Sequence, residues 1–395
     1  MNAPDRSGLV MRLPVAGGGF EPYALREPRA FPQRPARAFT RVAYSAAHVV
    51  ADQFAAVDPW LGAAIDWDAT IAYRRYLWSL GLGVAEAMDT AQRGMGLDWP
   101  TSLELVRRSL DAARDTPGAM IASGVGTDHL PPEDARSVDD VIAAYEQQME
   151  AVEALGGRMI VMASRALARI ARSPADYERV YDRILSQARE PVILHWLGEM
   201  FDPALAGYWG DADHMRAMDT ALGVIAAHPS KVDGIKISLL DAGKEIAMRR
   251  RLPAGVRMYS GDDFNYAELI AGDAHGYSDA LLGIFDAIAP AASASLGELA
   301  AGNTRAFHDI LGPTVPLSRH VFAAPTRFYK TGVVFLAWLN GHQAHFSMVG
   351  GQQSARSVLH LAQLFRFADE AGVLRDPALA ASRMRTFLAV NGCDG

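Results

Sequence analysis

The segment Val232–Ser238 places a lysine, Lys236, in the middle of a short apolar run. The chain has only four lysines among its 38 basic residues, and this one stands where a buried strand usually carries Val or Ile. Burial disfavours the ammonium form, so the pKa of a buried lysine falls. The neutral amine can then attack a carbonyl carbon and form a Schiff base. The same segment also fits a lysine paired with a carboxylate at a strand end, or one whose stem reaches water.

Short apolar runs alternate with longer amphipathic stretches through most of the chain. Eight runs are typical of strands: Val42–Ala47, Val84–Met88, Ala119–Val125, Met159–Ala163, Val192–Trp196, Gly234–Ser238, Val256–Ser260 and Tyr277–Leu281. Between them, apolar residues recur at helical spacing in Thr101–Ala113, Val138–Ala154, Ala175–Ala188 and His214–Ala227. Eight strands separated by helices predict an α/β protein whose (β/α)8 TIM barrel occupies residues 41–290. An open doubly wound sheet is the main alternative, but no Gly-x-Gly-x-x-Gly follows the first strand.

The two flanks of the predicted barrel differ in composition. Residues 1–40 are rich in Pro, Gly and Arg and show no clean period, which predicts an irregular N-terminal arm. Residues 291–395 form the predicted C-terminal helical region, with helices over Ala291–Leu311, Phe328–His342, Ser354–Glu370 and Pro377–Leu388. The pair Gly302-Asn303 should interrupt the first of these helices unless it packs tightly there.

Composition narrows the class of protein. A chain of 395 residues with 50% hydrophobic residues and a net charge of −7 is typical of a soluble globular protein. The sequence has no stripe of basic residues, which argues against nucleic acid as a partner. The lone Cys393 fits a reducing, cytoplasmic setting. No apolar run approaches the roughly 18 residues expected of a membrane span, and the first residues lack the apolar stretch of a secretory signal.

Polar side chains follow the predicted strands where each strand ends. In a TIM barrel the reactive groups lie at these carboxyl ends. The candidates are Thr90, Gln92 and Arg93 after the second strand, Arg165 after the fourth, His195 on the fifth, Lys236 and Ser238 on the sixth, and Asp262 and Asp263 after the seventh. Their convergence on one rim predicts a site for a small molecule there.

Several motifs, taken in order, resemble the dihydrodipicolinate synthase/N-acetylneuraminate lyase family of class I aldolases. In that family a Gly-Ile-Lys on the sixth barrel strand supplies the Schiff-base lysine and a Ser-Gly-Asp-Asp-like turn ends the seventh strand, as in Gly234–Lys236 and Ser260–Asp263 here. Further similar segments are Ile65–Asp68, Ala122–Gly126, Pro191–Leu194, Ala271–Ser278, Leu299–Leu311 and Lys330. The resemblance implies a TIM barrel, a catalytic lysine, no cofactor, and a homo-oligomer that is a dimer or a tetramer.

The departures from the family pattern concern substrate recognition. The family's Gly-Thr-Thr-Gly-Glu, which holds a keto carboxylate, is replaced by Asp89–Gly94, where only Thr90 corresponds. The family's proton-shuttling tyrosine on the fifth strand is replaced by His195, and its Tyr-Tyr-x-x-Pro by Ser164–Ala166. A longer insert also occupies residues 201–214. The resemblance therefore implies the lysine chemistry more strongly than a specificity for pyruvate, as in a divergent branch of the family.

These observations predict a cofactor-independent lyase that acts on a keto acid, keto sugar or sugar-acid derivative. Lys236 would form an imine with the substrate's carbonyl carbon, and His195 would remove or return a proton as a general acid–base. Cleavage of a carbon–carbon bond or elimination of water would then proceed through the same enamine. The predicted substrate-binding residues are Thr90, Gln92, Arg93, Arg165, Ser238, Asp262 and Asp263.

Two other functions fit the same sequence. Asp89, His195, Glu199 and His214 offer oxygen and nitrogen ligands for a divalent metal, which would indicate a metal-dependent sugar isomerase, epimerase or hydrolase. In that case Lys236 would only polarise the substrate. The third possibility is a non-catalytic carbohydrate-binding protein that retains the pocket.

Overall fold

The computed structural model describes residues 9–393. Two strands, β1 (Val10–Val15) and β2 (Gly19–Ala24), form an N-terminal hairpin. Eight further strands follow: β3 (Ala43–Ala46), β4 (Gly83–Glu86), β5 (Ile121–Val125), β6 (Met159–Met162), β7 (Val192–Leu197), β8 (Val232–Ser238), β9 (Arg257–Ser260) and β10 (Asp279–Leu282). These eight strands form a closed parallel barrel in which β10 pairs with β3 through Ala280 and Ala43. The predicted TIM barrel is confirmed, and each predicted run overlaps one of its strands.

Helices alternate with the barrel strands. They are α1 (Trp67–Ser79), α2 (Trp99–Arg114), α3 (Val138–Ala154), α4 (Arg165–Ile170), α5 (Pro174–Gln187), α6 (His214–Ala227), α7 (Ala242–Arg249), α8 (Tyr266–Ala271) and α9 (Ile284–Ala287). Local capping explains several of the boundaries. The hydroxyl of Ser137 accepts a hydrogen bond from the N–H of Asp140 at the start of α3, and Pro174 occupies the first turn of α5, where a missing N–H costs no hydrogen bond.

The chain after the barrel is helical, as predicted. Its helices are α10 (Ala289–Ala300), α11 (Thr304–Leu311), α12 (Thr314–Val321), α13 (Tyr329–Leu339), α14 (Val358–Glu370) and α15 (Pro377–Val390). The predicted helix Ala291–Leu311 is divided at Gly302, whose φ of 82° lies in the left-handed region. Glycine adopts this conformation without the steric cost that a Cβ brings, so the chain turns there. The sequence did not predict α12.

The prediction of an irregular N-terminal arm is wrong for residues 10–24, which form the hairpin. Leu13 is fully buried, and β1 lies against α14. The hydroxyl of Tyr23 donates a hydrogen bond to Asp369 Oδ2 over 2.8 Å. Residues 1–8 lie outside the described part of the chain. The hairpin was missed because its strands are short and its partners lie more than 300 residues away in sequence.

Period-two alternation along the barrel strands decides which side chains enter the barrel. On β8, Ile235 and Ile237 pack in the large core between the barrel and its helices. Lys236 lies between them, so its side chain has the opposite orientation and enters the barrel. Tyr44, Ile160, Ile193 and other residues fill the barrel below it as a separate small core. This floor closes the barrel and leaves its carboxyl-terminal mouth open for a site.

None of the helices within residues 9–393 has both the length and the apolar character that crossing a membrane requires.

Candidate active site

Three adjoining cavities occupy the carboxyl-terminal mouth of the barrel. We call them the lysine cavity, the histidine cleft and the cationic cleft. The first contains Lys236, the second His195 and the third Lys330. Asp89 and Leu197 line all three, so the cavities are parts of one opening.

Lys236 lies in the lysine cavity, where 7% of the residue is exposed. Burial lowers the pKa of its amine, and the nearby carboxylates of Asp263 and Asp89 partly oppose that effect. Within residues 9–393, no hydrogen bond or ion pair engages its Nζ. The amine therefore has the environment that a nucleophilic lysine requires.

The turn after β9 packs directly on Lys236. A Cβ on Gly261 would lie 2.4 Å from Ser238 Oγ and 2.7 Å from Lys236 Cε. Such contacts are far too short, so only glycine allows this turn to pass so close to the lysine. A larger residue at this position would therefore displace Ser238 or Lys236.

The two adjacent aspartates of this turn have different surroundings. Asp262 accepts hydrogen bonds from the backbone N–H groups of Phe264 and Asn265 and from the amide of Asn265, and it lines none of the three cavities. The turn itself engages this carboxylate, and the role of Asp262 in substrate binding stays a prediction. Asp263 lines the lysine cavity and accepts one hydrogen bond, from the N–H of Ile284 over 2.9 Å. Burial raises the pKa of Asp263 to about 7.

Asp89 occupies the centre of the opening. Its carboxylate makes no hydrogen bond or ion pair with any residue that the structure describes, although it influences the pKa of Lys236, Lys330 and Tyr329. The sequence indicated Asp89 only as a metal ligand. An unpartnered carboxylate beside an amine can instead accept a proton or bind a substrate hydroxyl.

Tyr329, at the start of α13, is a site residue that the sequence did not indicate. Its ring stacks on Phe322 with centroids 4.3 Å apart, and its hydroxyl lies 2.7 Å from Thr90 Oγ1. Both hydroxyl-bearing residues line the lysine cavity. Phe328–His342 has the composition of a core helix, so only the fold could show that its first turn enters the barrel mouth.

His195 lies beside Lys236 in the barrel, because β7 and β8 pair in the register His195–Lys236. Its Nε2 lies 3.3 Å from Ser238 Oγ, and its buried Nδ1 has no partner among the described residues. Burial lowers the pKa of His195 well below its ordinary value, and the charge of Lys236 adds to the shift. The imidazole is therefore neutral at pH 7.

The other predicted site residues of the second and fourth strand ends are largely held by the protein. Arg93 donates to Asp128 Oδ2 over 3.0 Å and to the carbonyl of Gly124 over 2.6 Å. Gln92 donates to the carbonyl of Val349 over 2.8 Å and lines none of the three cavities, and its contact with substrate stays a prediction. Arg165 is exposed at the start of α4, where it pairs with Asp202 and lines both clefts.

The four residues proposed as metal ligands do not form a site. His214 Nε2 lies 3.1 Å from Glu199 Oε2, and its ring packs on Trp196, which belongs to the core outside the barrel. His195 and Asp89 line the mouth of the barrel instead. No group of three or more His, Cys, Asp or Glu residues in the described range 9–393 is placed to hold a metal ion.

A family model described as "protein of unknown function (DUF993)" matches residues 11–393 of the chain. No curated protein matches the sequence.

Several solved structures are similar to this fold. Dihydrodipicolinate synthase from Aquifex aeolicus has a TM-score of 0.63 and 11% identity, with 85% of this chain and 100% of that chain covered. The synthase from Thermotoga maritima has a TM-score of 0.62 and 16% identity, with coverage of 86% and 100%. A prophage protein of the dihydrodipicolinic acid synthase family from E. coli K12, solved in complex with pyruvate, has a TM-score of 0.62 and 13% identity, with coverage of 90% and 100%. The resemblance seen in the motifs is thus confirmed for the fold.

Proposed function

The chain belongs to the family described as protein of unknown function (DUF993), and we propose that it is a lyase of the Schiff-base (class I) aldolase type. The substrate would be a keto acid, keto sugar or sugar-acid derivative, and the reaction a carbon–carbon cleavage or a dehydration. One observation carries the proposal. Lys236 is buried in a cavity at the carboxyl-terminal mouth of the barrel, and its amine has no partner in the described chain.

The reaction begins with attack of Lys236 Nζ on the carbonyl carbon. The carbonyl oxygen leaves as water after it has taken up two protons, and a protonated imine remains. The imine accepts the electron pair of the bond that breaks next, which yields an enamine. In a cleavage, a proton then returns to the enamine carbon. In a dehydration, the enamine instead expels the neighbouring hydroxyl group, which takes up a proton and leaves as water. Water finally hydrolyses the imine to release product and free amine.

We assign the proton transfers of this scheme to Asp263. A general acid–base works most effectively when its pKa is near the working pH, and the pKa of Asp263 is raised to about 7. His195 is a weaker base because burial holds the pKa of its imidazole low. We therefore assign His195 the acceptance of a hydrogen bond from a substrate hydroxyl, beside Ser238. The hydroxyl pair of Thr90 and Tyr329 faces the same cavity and would bind the departing oxygen.

We also propose the division of the chain into an N-terminal arm (1–40), a barrel (41–290) and a C-terminal helical region (291–395). A cytoplasmic homo-oligomer that needs no cofactor fits this function, and the single cysteine supports a reducing compartment. The insert over residues 201–214 would help to shape the pocket, since Phe201, Asp202 and Leu205 line the cavities.

Borohydride trapping tests the proposed function. The protein is incubated with keto acids and keto sugars, reduced with sodium borohydride, and weighed by intact-protein mass spectrometry. We expect a covalent adduct with at least one of these carbonyl compounds, and its loss in Lys236→Ala. Lys244→Ala is the matched control, because Lys244 on α7 pairs with Asp241 and lines none of the three cavities. Equal trapping in Lys236→Ala and wild type would exclude the proposal.

A further inference from the structure

The cationic cleft extends the lysine cavity towards the C-terminal helices. Four basic residues line it, Arg93, Arg165, Arg327 and Lys330. It shares Asp89, Leu197, Phe201 and Tyr329 with the lysine cavity. A substrate that is long enough can therefore occupy both cavities, with its carbonyl carbon at Lys236 and its other end in the cationic cleft.

Two of these four basic groups have no carboxylate partner among the described residues. Lys330 is 4% exposed, and its Nζ donates to the carbonyl of Arg327 over 3.0 Å. Its only other polar contact in the described chain is the sulfur of Met95 at 3.4 Å. Arg327 is exposed, its guanidinium lies 4.9 Å from the Phe328 ring, and none of the residues described accepts a hydrogen bond from it. A buried ammonium without a counter-ion is costly, which indicates that another anion completes this site.

The net charge of the cleft indicates how much negative charge the missing anion carries. Arg165, Arg327 and Lys330 face the carboxylates of Asp89 and Asp202, and Asp202 already pairs with Arg165. Arg93 also lines the cleft, but Asp128 neutralises it. One positive charge remains in excess. A group with a single negative charge balances the cleft, whereas a phosphate dianion would overcompensate it.

We propose that the cationic cleft binds a carboxylate of the substrate that is remote from the reacting carbonyl, through Arg327 and Lys330. The proposal rests on the proposed function and narrows the substrate to keto acids in which several atoms separate the ketone from the carboxylate. Arg327 contributes a planar pair of donors that matches a carboxylate, and Lys330 contributes a fixed charge at the buried end of the cleft.

The experiment compares 5-oxohexanoate with its uncharged counterpart 2-hexanone in borohydride trapping. Wild type should give half-maximal trapping at a concentration at least tenfold lower for the carboxylate. Arg327→Gln and Lys330→Met should each remove most of this preference and leave trapping of 2-hexanone unchanged. Arg305→Gln is the matched control, because its side chain is 96% exposed on α11 and does not line the cleft. If Arg327→Gln preferred 5-oxohexanoate over 2-hexanone as strongly as wild type does, the proposal would be overturned. Because Arg327 is exposed, this result can be read even if Lys330→Met does not fold.

A second measurement separates this proposal from the lyase proposal. Lys236→Ala cannot form an imine, yet it should bind glutarate by calorimetry, and Arg327→Gln in the same background should weaken that binding at least tenfold. If glutarate binds but wild type traps no carbonyl compound, the proposed carboxylate site is supported and the proposed lyase function is excluded. If wild type traps 5-oxohexanoate and 2-hexanone equally well, the lyase function is supported and the carboxylate site is excluded. Binding of inorganic phosphate tighter than that of glutarate would overturn the assignment of a carboxylate.

Discussion

Two groups of buried charges in this molecule have opposite surroundings. Arg74 on α1 and Glu86 on β4 are fully buried, and two hydrogen bonds of 2.9 Å join the guanidinium to the carboxylate. The hydroxyl of Ser109 and the N–H of Ala87 donate to the same carboxylate. At the mouth of the barrel, Lys236 is also buried but lacks a partner in the described structure. The comparison teaches that the partners of a buried charge, more than its burial, distinguish a structural role from a chemical one.

Substitution of the lysine gives the largest expected effect. Lys236→Met should lower turnover at least 10³-fold, because the nucleophile is lost. Its free energy of unfolding should stay the same or rise by up to about 2 kcal/mol, since a buried charge without a partner is replaced by an apolar side chain of similar volume. Steady-state kinetics and urea unfolding measure the two quantities. A large loss of stability would mean that Lys236 is a structural residue.

Substitution in the paired cluster should have the reverse signature. Glu86→Gln leaves Arg74 buried without a counter-charge, so the free energy of unfolding should fall by about 3–5 kcal/mol. Urea unfolding measures this, with the exposed Glu150→Gln as the control. Lysine trapping by the fraction that remains folded should be normal. If Glu86→Gln were as stable as wild type, the contrast between the two clusters would fail.

Tyr329→Phe sharpens the comparison at the mouth itself. It removes one hydroxyl, the partner of Thr90 in the lysine cavity, and keeps the ring that stacks on Phe322. Turnover should fall about 100- to 1000-fold, as is usual when one hydrogen-bond donor to a reacting oxygen is lost. The half-exposed Tyr277→Phe should have wild-type kinetics. Full activity in Tyr329→Phe would restrict this tyrosine to packing.

The smallest effect concerns pH. Glu245 is buried on α7 beside Ser260, and burial raises its pKa to about 8. Between its ordinary pKa and this raised value the folded protein binds more protons than the unfolded chain, so this group lowers stability as pH rises. The slope is at most about 1.4 kcal/mol per pH unit.

Glu245→Gln should remove that contribution, and the curve of unfolding free energy against pH should become flatter between about pH 5 and 8. Urea unfolding at several pH values checks this, again with Glu150→Gln as the control. An unchanged slope would show that Glu245 ionises inside the fold without cost.

The sequence predicted the barrel because each strand and helix carries its own period, and short-range pattern is enough to mark such elements. It also predicted Lys236, since a charge inside an apolar run is visible locally. It did not predict the roles of Tyr329 and Asp89, because these depend on which chain segments meet across the mouth. It did not reveal that backbone groups engage Asp262 and Gln92, since such hydrogen bonds depend on how the chain folds around each side chain.

Peptide mapping of the borohydride-reduced adduct tests the central claim most directly. After trapping with a keto acid and proteolysis, tandem mass spectrometry assigns the added mass to one of the four lysines. The account predicts that the adduct lies on Lys236 and on no other lysine. An adduct on Lys330, whose pKa burial lowers to about 8, would place the nucleophile in the cationic cleft and contradict it.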